Sequence, residues 1–264
     1  MLAVIAGAGA LPGAVVSARH GALFVRIEGV EAHNPGAPEI AASFERLGAL
    51  FEAMKGHRVS EVCLAGAMTR PALDPLAFDP TMRALWPRLA AAMQGGDDAL
   101  LRLVIAIFEE QGFAVRGAHE LVPGLTAQAG LLAGAPPDRA ARDDLARATA
   151  ILAALGPLDV GQAAVVAGGL CLGIETLQGT DFLLDMVART PAHLRRGAGG
   201  VLVKRPKPGQ DLRVDMPAVG PETLRGAARA GLSGVAIAAG TVLVLDREAT
   251  LEAAAEAGLF LLAQ

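Results

Sequence analysis

An alternation running through the first 116 residues is what most constrains the fold. Short apolar runs are followed by segments of helical spacing, and glycine or proline closes most of them. Residues 2–6, 23–27 and 61–65 are five-residue runs, the length of strands and too short for a buried helix. Residues 11–20, 40–55, 81–93 and 97–111 read as helices, and 113–116 as a further strand. Strands separated by helices pair in parallel, with the helices covering both faces of the sheet. The pattern therefore predicts a Rossmann-like, doubly wound α/β domain. Its ligand edge should lie beyond the strand C-termini, near residues 7–12, 66–70 and 117–119.

Around residues 133–142 the pattern lapses into Ala-Gly-Ala-Pro-Pro-Asp-Arg, which continues neither element. The expected organisation is a Rossmann-like domain over 1–132, a linker over 133–142 and a mixed α/β domain over 143–264. In the second half, 162–167 and 170–176 predict a hairpin about Gly168-Gly169. Residues 235–239 and 242–246 predict a second hairpin about Gly240-Thr241. Strands at 200–204 and 212–215 flank a Pro-Lys-Pro-Gly-Gln loop. Helices are expected over 143–155, 179–189 and from Pro221 to about Gly231, with a last strand at 259–263.

Hydrophobic residues make up 53% of the chain and aromatic ones only 3%, so small-residue helices on aliphatic strands are implied. A net charge of −4 argues against a nucleic-acid partner. The charge is uneven: Arg189, Arg195, Arg196, Lys204, Arg205, Lys207 and Arg213 face only one nearby acid, Asp211. Such a block suits a local anion site or a charged surface loop. Cys63 and Cys171 sit in apolar runs and read as small buried hydrophobes in a reducing, cytoplasmic compartment. Residues 1–18 are uncharged, but they lack a basic leader and are broken by Gly7, Gly9, Pro12 and Gly13. No membrane span is expected.

Three motifs carry chemistry. Gly7-Ala8-Gly9-Ala10-Leu11-Pro12-Gly13 follows the first strand and suits backbone approach to a phosphate, although Pro12 stands where a dinucleotide fingerprint has glycine. Glu28, at the end of the second strand, keeps an NAD-type oxidoreductase open. Gly95-Gly96-Asp97-Asp98 reads first as a helix cap and second as a carboxylate pair. The densest constellation runs from Gly200 to Pro217. It gathers Lys204, Lys207, Gln210 and Arg213 with Asp211 and Asp215. In an extended strand Asp211, Arg213 and Asp215 would share one face. Pyrophosphate cleavage needs such cations against phosphate oxygens, and carboxylates to hold a metal or orient water. Gly179-Thr180-Asp181 adds a hydroxyl and a carboxylate at a helix start. The five histidines show no ligand spacing, and the GxSxG, CxxC and P-loop motifs are missing.

With Ile5–Pro12, Gly95–Leu101, Gly117–Leu121, Leu158–Gln162, Gln178–Asp181, Lys207–Asp215 and Gly258-Leu-Phe in order, the chain resembles the LpxI-type UDP-2,3-diacylglucosamine pyrophosphatases of lipid A biosynthesis. The resemblance implies a Mg²⁺-dependent hydrolase, with Mn²⁺ as a substitute, that gives UMP and 2,3-diacylglucosamine 1-phosphate. It implies a site shared between two domains, with the essential aspartate at Asp215. Expected substrate contacts are Gly9, Leu11, Thr180, Lys204, Lys207, Gln210 and Arg213; expected metal ligands are Asp181, Asp211 and Asp215. The UDP-lipid and its lipid product are the partners, with peripheral inner-membrane contact and a homo-oligomer both compatible. A non-catalytic lipid-binding protein, like the oxidoreductase, remains an alternative.

Overall fold

Five parallel strands form the first sheet: β1 (Leu2–Ala6), β2 (Leu23–Ile27), β3 (Glu39–Ala42), β4 (Glu61–Ala65) and β5 (Ala114–Val115). They lie in the order β3-β2-β1-β4-β5, with Val4 of β1 opposite Phe24 and Cys63. Helices α1 (Leu11–Ala18), α2 (Leu47–Gly56), α3 (Pro80–Gln94), α4 (Asp97–Glu110) and α5 (Ala118–Leu121) complete the expected doubly wound arrangement. The strand order reverses at β1, so the loops after β1 and β4 flank the switch point where such sheets take ligands. This computed structural model describes every residue except Arg70, Arg196 and Ala198. The end of the expected ligand loop at 66–70 and one cation of the basic block therefore lie outside the described residues.

One expected helix is shorter than its pattern. Residues 40–55 were continuous in helical spacing, yet Glu39–Ala42 is strand β3 and the α-helix begins at Leu47. Arg26 on β2 donates to both oxygens of Glu39 at 2.7 and 2.8 Å, which favours edge pairing. Ser43 then accepts from the Glu45 amide and starts a 3₁₀ turn, which separates strand from helix. The core beneath combines Val25, Met54 and Val62 with Phe51, whose ring meets Phe108 edge-on at 5.6 Å.

The second sheet is mixed. Its strands are β6 (Gly130–Ala133), β7 (Ala163–Ala167), β8 (Leu170–Ile174), β9 (Val201–Lys204), β11 (Gly234–Ile237) and β13 (Phe260–Ala263), in the order β6-β13-β11-β9-β7-β8. A separate ribbon pairs β10 (Ala218–Val219) in parallel with β12 (Leu243–Val244). Helix α6 (Arg139–Leu155) packs Ala141, Leu145, Ala148 and Leu152 on one face of the sheet. Helices α7 (Gly179–Ala188), α8 (Pro221–Arg229) and α9 (Arg247–Glu256) contribute Leu184, Leu224 and Ala254 to a second core.

The β7–β8 hairpin forms as expected, with Gly168 and Gly169 both at positive φ. Its turn is pinned by the buried Asp144 carboxylate, which accepts from the Gly168 and Gly169 amides at 2.9 and 2.7 Å. The second expected hairpin does not form. Both edges of β11 are taken by parallel neighbours, β9 and β13, so 243–244 pairs with β10 instead. Cys63 is buried, as expected. Burial, helped by the charge of Glu120, pushes its thiol up to about 12. Cys171, by contrast, is exposed, because it sits on β8, the edge strand of the sheet.

By internal contact the chain divides into two units: Met1–Pro123 with Asp211–Asp215, and Gly124–Gln210 with Met216–Gln264. The chain thus joins the second unit at Gly124, ahead of the 133–142 stretch read as linker. Gly130–Ala133 is bonded to β13 as an edge strand, and Asp138 caps α6 by accepting from the Ala141 amide at 2.8 Å. Most of that stretch is element and cap.

Candidate functional site

In the first unit the loops after β1 and β4 are bonded to each other. Ala8 donates to the Ala67 carbonyl at 2.7 Å, and Ala67 donates back to Ala8 at 2.9 Å. A Cβ on Gly7 would lie 2.6 Å from the Ala67 oxygen, and one on Gly66 would lie 2.6 Å from the Ala8 oxygen. Loop-to-loop packing therefore requires glycine at both positions. Gly9, at φ +94° with nothing within 4 Å of a built Cβ, stays open and exposed. Leu11 is half-buried at the start of α1.

The first unit also recovers a piece of the distant motif. Residues 212–215 were expected as a strand, but Asp211–Asp215 is a single turn in which the Asp211 carbonyl accepts from the Val214 and Asp215 amides at 3.2 and 3.1 Å. Asp211 Oδ1 also accepts from the Arg213 amide at 3.1 Å, an Asx-type bond that closes the turn locally. Asp211 and Asp215 thus sit one turn apart, and Arg213 is not between them on one face. The Arg213 guanidinium instead reaches both Asp211 oxygens, at 3.0 and 2.8 Å, and Glu109 at 2.8 Å. That guanidinium holds the Asp211 carboxyl below its ordinary value, and the two acids raise the pKa of Arg213. Val214 packs against the first unit's core. Gly117 lies beside the turn, where a Cβ would meet the His119 ring at 2.5 Å and the Arg213 Cα at 3.3 Å. Nδ1 of His119 is buried without a hydrogen-bond partner.

The remaining expected residues lie in the second unit. Lys204 ends β9, and its Nζ donates to Thr180 Oγ1 at 2.6 Å and stands 3.8 Å from Glu175 Oε2. Thr180, in the first turn of α7, donates to the Glu175 carboxylate. All three side chains are buried. Lys207 is ion-paired to Asp159, and its amide donates to Gln210 Oε1 at 2.9 Å. Asp181 is exposed on α7.

The basic block is thereby dispersed. Arg195 donates to the carbonyls of Ala230, Gly199 and Gly231 at 2.6, 2.7 and 3.1 Å, and so caps the end of α8. Lys204, Lys207 and Arg213 each have a carboxylate, namely Glu175, Asp159 and, for Arg213, both Asp211 and Glu109. The N-cap of α4 is Gly96, with no side-chain cap bond, so Asp97 and Asp98 are not its caps: they lie in the first turn, where they complement the helix dipole, and Asp98 pairs with Arg102 at 2.8 Å. Among the described residues no group of three or more His, Cys, Asp or Glu is arranged to hold a metal ion.

Residues 1–125 match the LpxI N-terminal domain, and residues 128–262 match the LpxI C-terminal domain. The chain belongs to the LpxI family. A Caulobacter vibrioides protein named UDP-2,3-diacylglucosamine pyrophosphatase LpxI is 40% identical over 271 residues, covering 99% of this chain and 96% of its own length. The family boundary at 125–128 falls beside the structural one at Pro123–Gly124. The Asp211–Asp215 turn, however, is matched by the C-terminal family domain while packing with the first unit. Sequence reading missed Glu175, Asp159 and Glu109 because each lies at an ordinary strand or helix end, far in sequence from its cation. In Leu158–Gln162 the family motif already contained Asp159, without showing its role.

Proposed function

We propose that this chain hydrolyses the pyrophosphate bond of UDP-2,3-diacylglucosamine to UMP and 2,3-diacylglucosamine 1-phosphate, within lipid A biosynthesis. The observation that carries this reading is 40% identity, across 99% of the chain, to a protein of that named activity. The site chemistry suits it. Asp215 is assigned the catalytic carboxylate role because it closes the Lys207–Asp215 motif that carries the family resemblance. Lys204, Lys207 and Arg213 are the cations proposed for the phosphate oxygens, and Gln210, Gly9 and Leu11 the further proposed substrate contacts.

A Mg²⁺ ion, or Mn²⁺, fits this donor set in the way usual for phosphate substrates, with one or two carboxylates and the phosphates themselves as ligands. Asp215 would hold it, with Asp211 of the same turn as a further oxygen donor. When bound, the ion neutralises charge on the pyrophosphate. The chain's own cations orient the substrate, and Asp215 orients the attacking water. Among the described residues no helix is long and apolar enough to cross a membrane, and the chain is proposed to act in the cytoplasm in peripheral contact with the lipid surface. The test is release of UMP from UDP-2,3-diacylglucosamine by the purified protein with Mg²⁺. Binding without UMP release would favour a lipid carrier instead.

A further inference from the structure

The second unit contains a hydrogen-bond relay whose direction is fixed by chemistry. An ammonium only donates and a carboxylate only accepts, while a hydroxyl does both. Lys204 Nζ therefore donates a hydrogen bond to Thr180 Oγ1 at 2.6 Å, and Thr180 donates in turn to Glu175. The Thr180 proton is spent inside the protein and is not presented to an incoming phosphate. What the relay fixes is the position of the Lys204 ammonium, at the C-terminal end of a central strand and beside the first turn of α7.

Glu175 is itself held from two directions. Its amide donates to the Ala163 carbonyl at 2.8 Å, and its own carbonyl lies where a Cβ on residue 161 would come within 1.9 Å, so that only Gly161 fits. A buried charge pair is a poor source of stability, since apolar residues of the same volume commonly do as well. A buried acid, hydroxyl and amine joined in one relay are better explained by what the amine must meet.

We propose that Glu175 is a positioning residue for the anionic substrate: through Thr180 it holds the Lys204 ammonium where the pyrophosphate binds. This rests on the hydrolase reading above. The test is Glu175→Gln, which keeps the side-chain shape and removes the charge. Turnover is assayed as UMP release, and UDP binding is measured by calorimetry. The expected result is a KM and a UDP dissociation constant raised about tenfold or more, with kcat changed far less. In a Lys204→Met background Glu175→Gln should add almost nothing, because both act through one ammonium.

If Glu175→Gln does not fold, Thr180→Val decides, since it removes the bridging hydroxyl and must raise the same constants. Wild-type UDP affinity in the folded variants, or full additivity with Lys204→Met, overturns the positioning role. Wild-type protein that binds UDP without releasing UMP overturns the hydrolase reading alone, and the binding arm still decides Glu175.

Discussion

Two residues of the Asp211–Asp215 turn carry separable predictions. Asp215→Ala should reduce kcat below about a tenth of wild type while leaving the circular dichroism spectrum unchanged, because it removes a carboxylate assigned to the reacting centre and not to a core. Retained turnover would remove the assignment. Arg213 acts on stability as well. It holds the folded-state pKa of Asp211 below the unfolded one. A group with a depressed folded pKa stabilises the fold above its unfolded pKa, and loses that contribution as pH falls through the folded value. Arg213→Met removes the shift, so the variant should be less stable near neutrality and converge on wild type in strong acid. Denaturant titrations at about pH 7 and about pH 2 measure this, and a gap that does not narrow in acid would show that the Asp211 link contributes nothing.

At the scale of elements, the strands of the first unit were legible because each short apolar run is ended by glycine or proline before the helical spacing begins. Strand β3 was not legible, since Ile40 and Ala42 fit helical spacing as well as strand pairing, and only the free edge of β2 and the Arg26–Glu39 pair decide between them. The 212–215 segment failed for a related reason: alternation was read where a local Asx bond closes a turn. Close backbone approaches were invisible in the same way. Gly161 looks like ordinary punctuation, yet a Cβ there would collide with the Glu175 carbonyl at the end of β8. Gly161→Ala should therefore cost about 1–3 kcal/mol in chemical denaturation, as overpacking against backbone does. Wild-type stability would show that the strand end gives way freely.

Considered whole, the chain leaves its first unit at Pro123 and returns to it for five residues, Asp211–Asp215. A fragment of residues 1–123 lacks the partner of Glu109 and the Val214 side chain that packs on its core. Amides of β1 and β4 should exchange faster in that fragment than in the full chain; equal protection would show that the returning turn adds nothing to the unit. The full protein should also lose UMP release after exhaustive chelation and regain it with Mg²⁺, because its described residues supply cations and one or two carboxylates but no three-acid cage. Full activity without metal would exclude that part of the reading. By itself the sequence determined the layered α/β architecture, the family and the residue types for an anionic substrate, since periodicity, glycine placement and motif order are local properties of a chain. Only the tertiary structure decided which acid meets each cation, because Glu109 and Arg213, or Asp159 and Lys207, are brought together by packing of segments that share no sequence pattern.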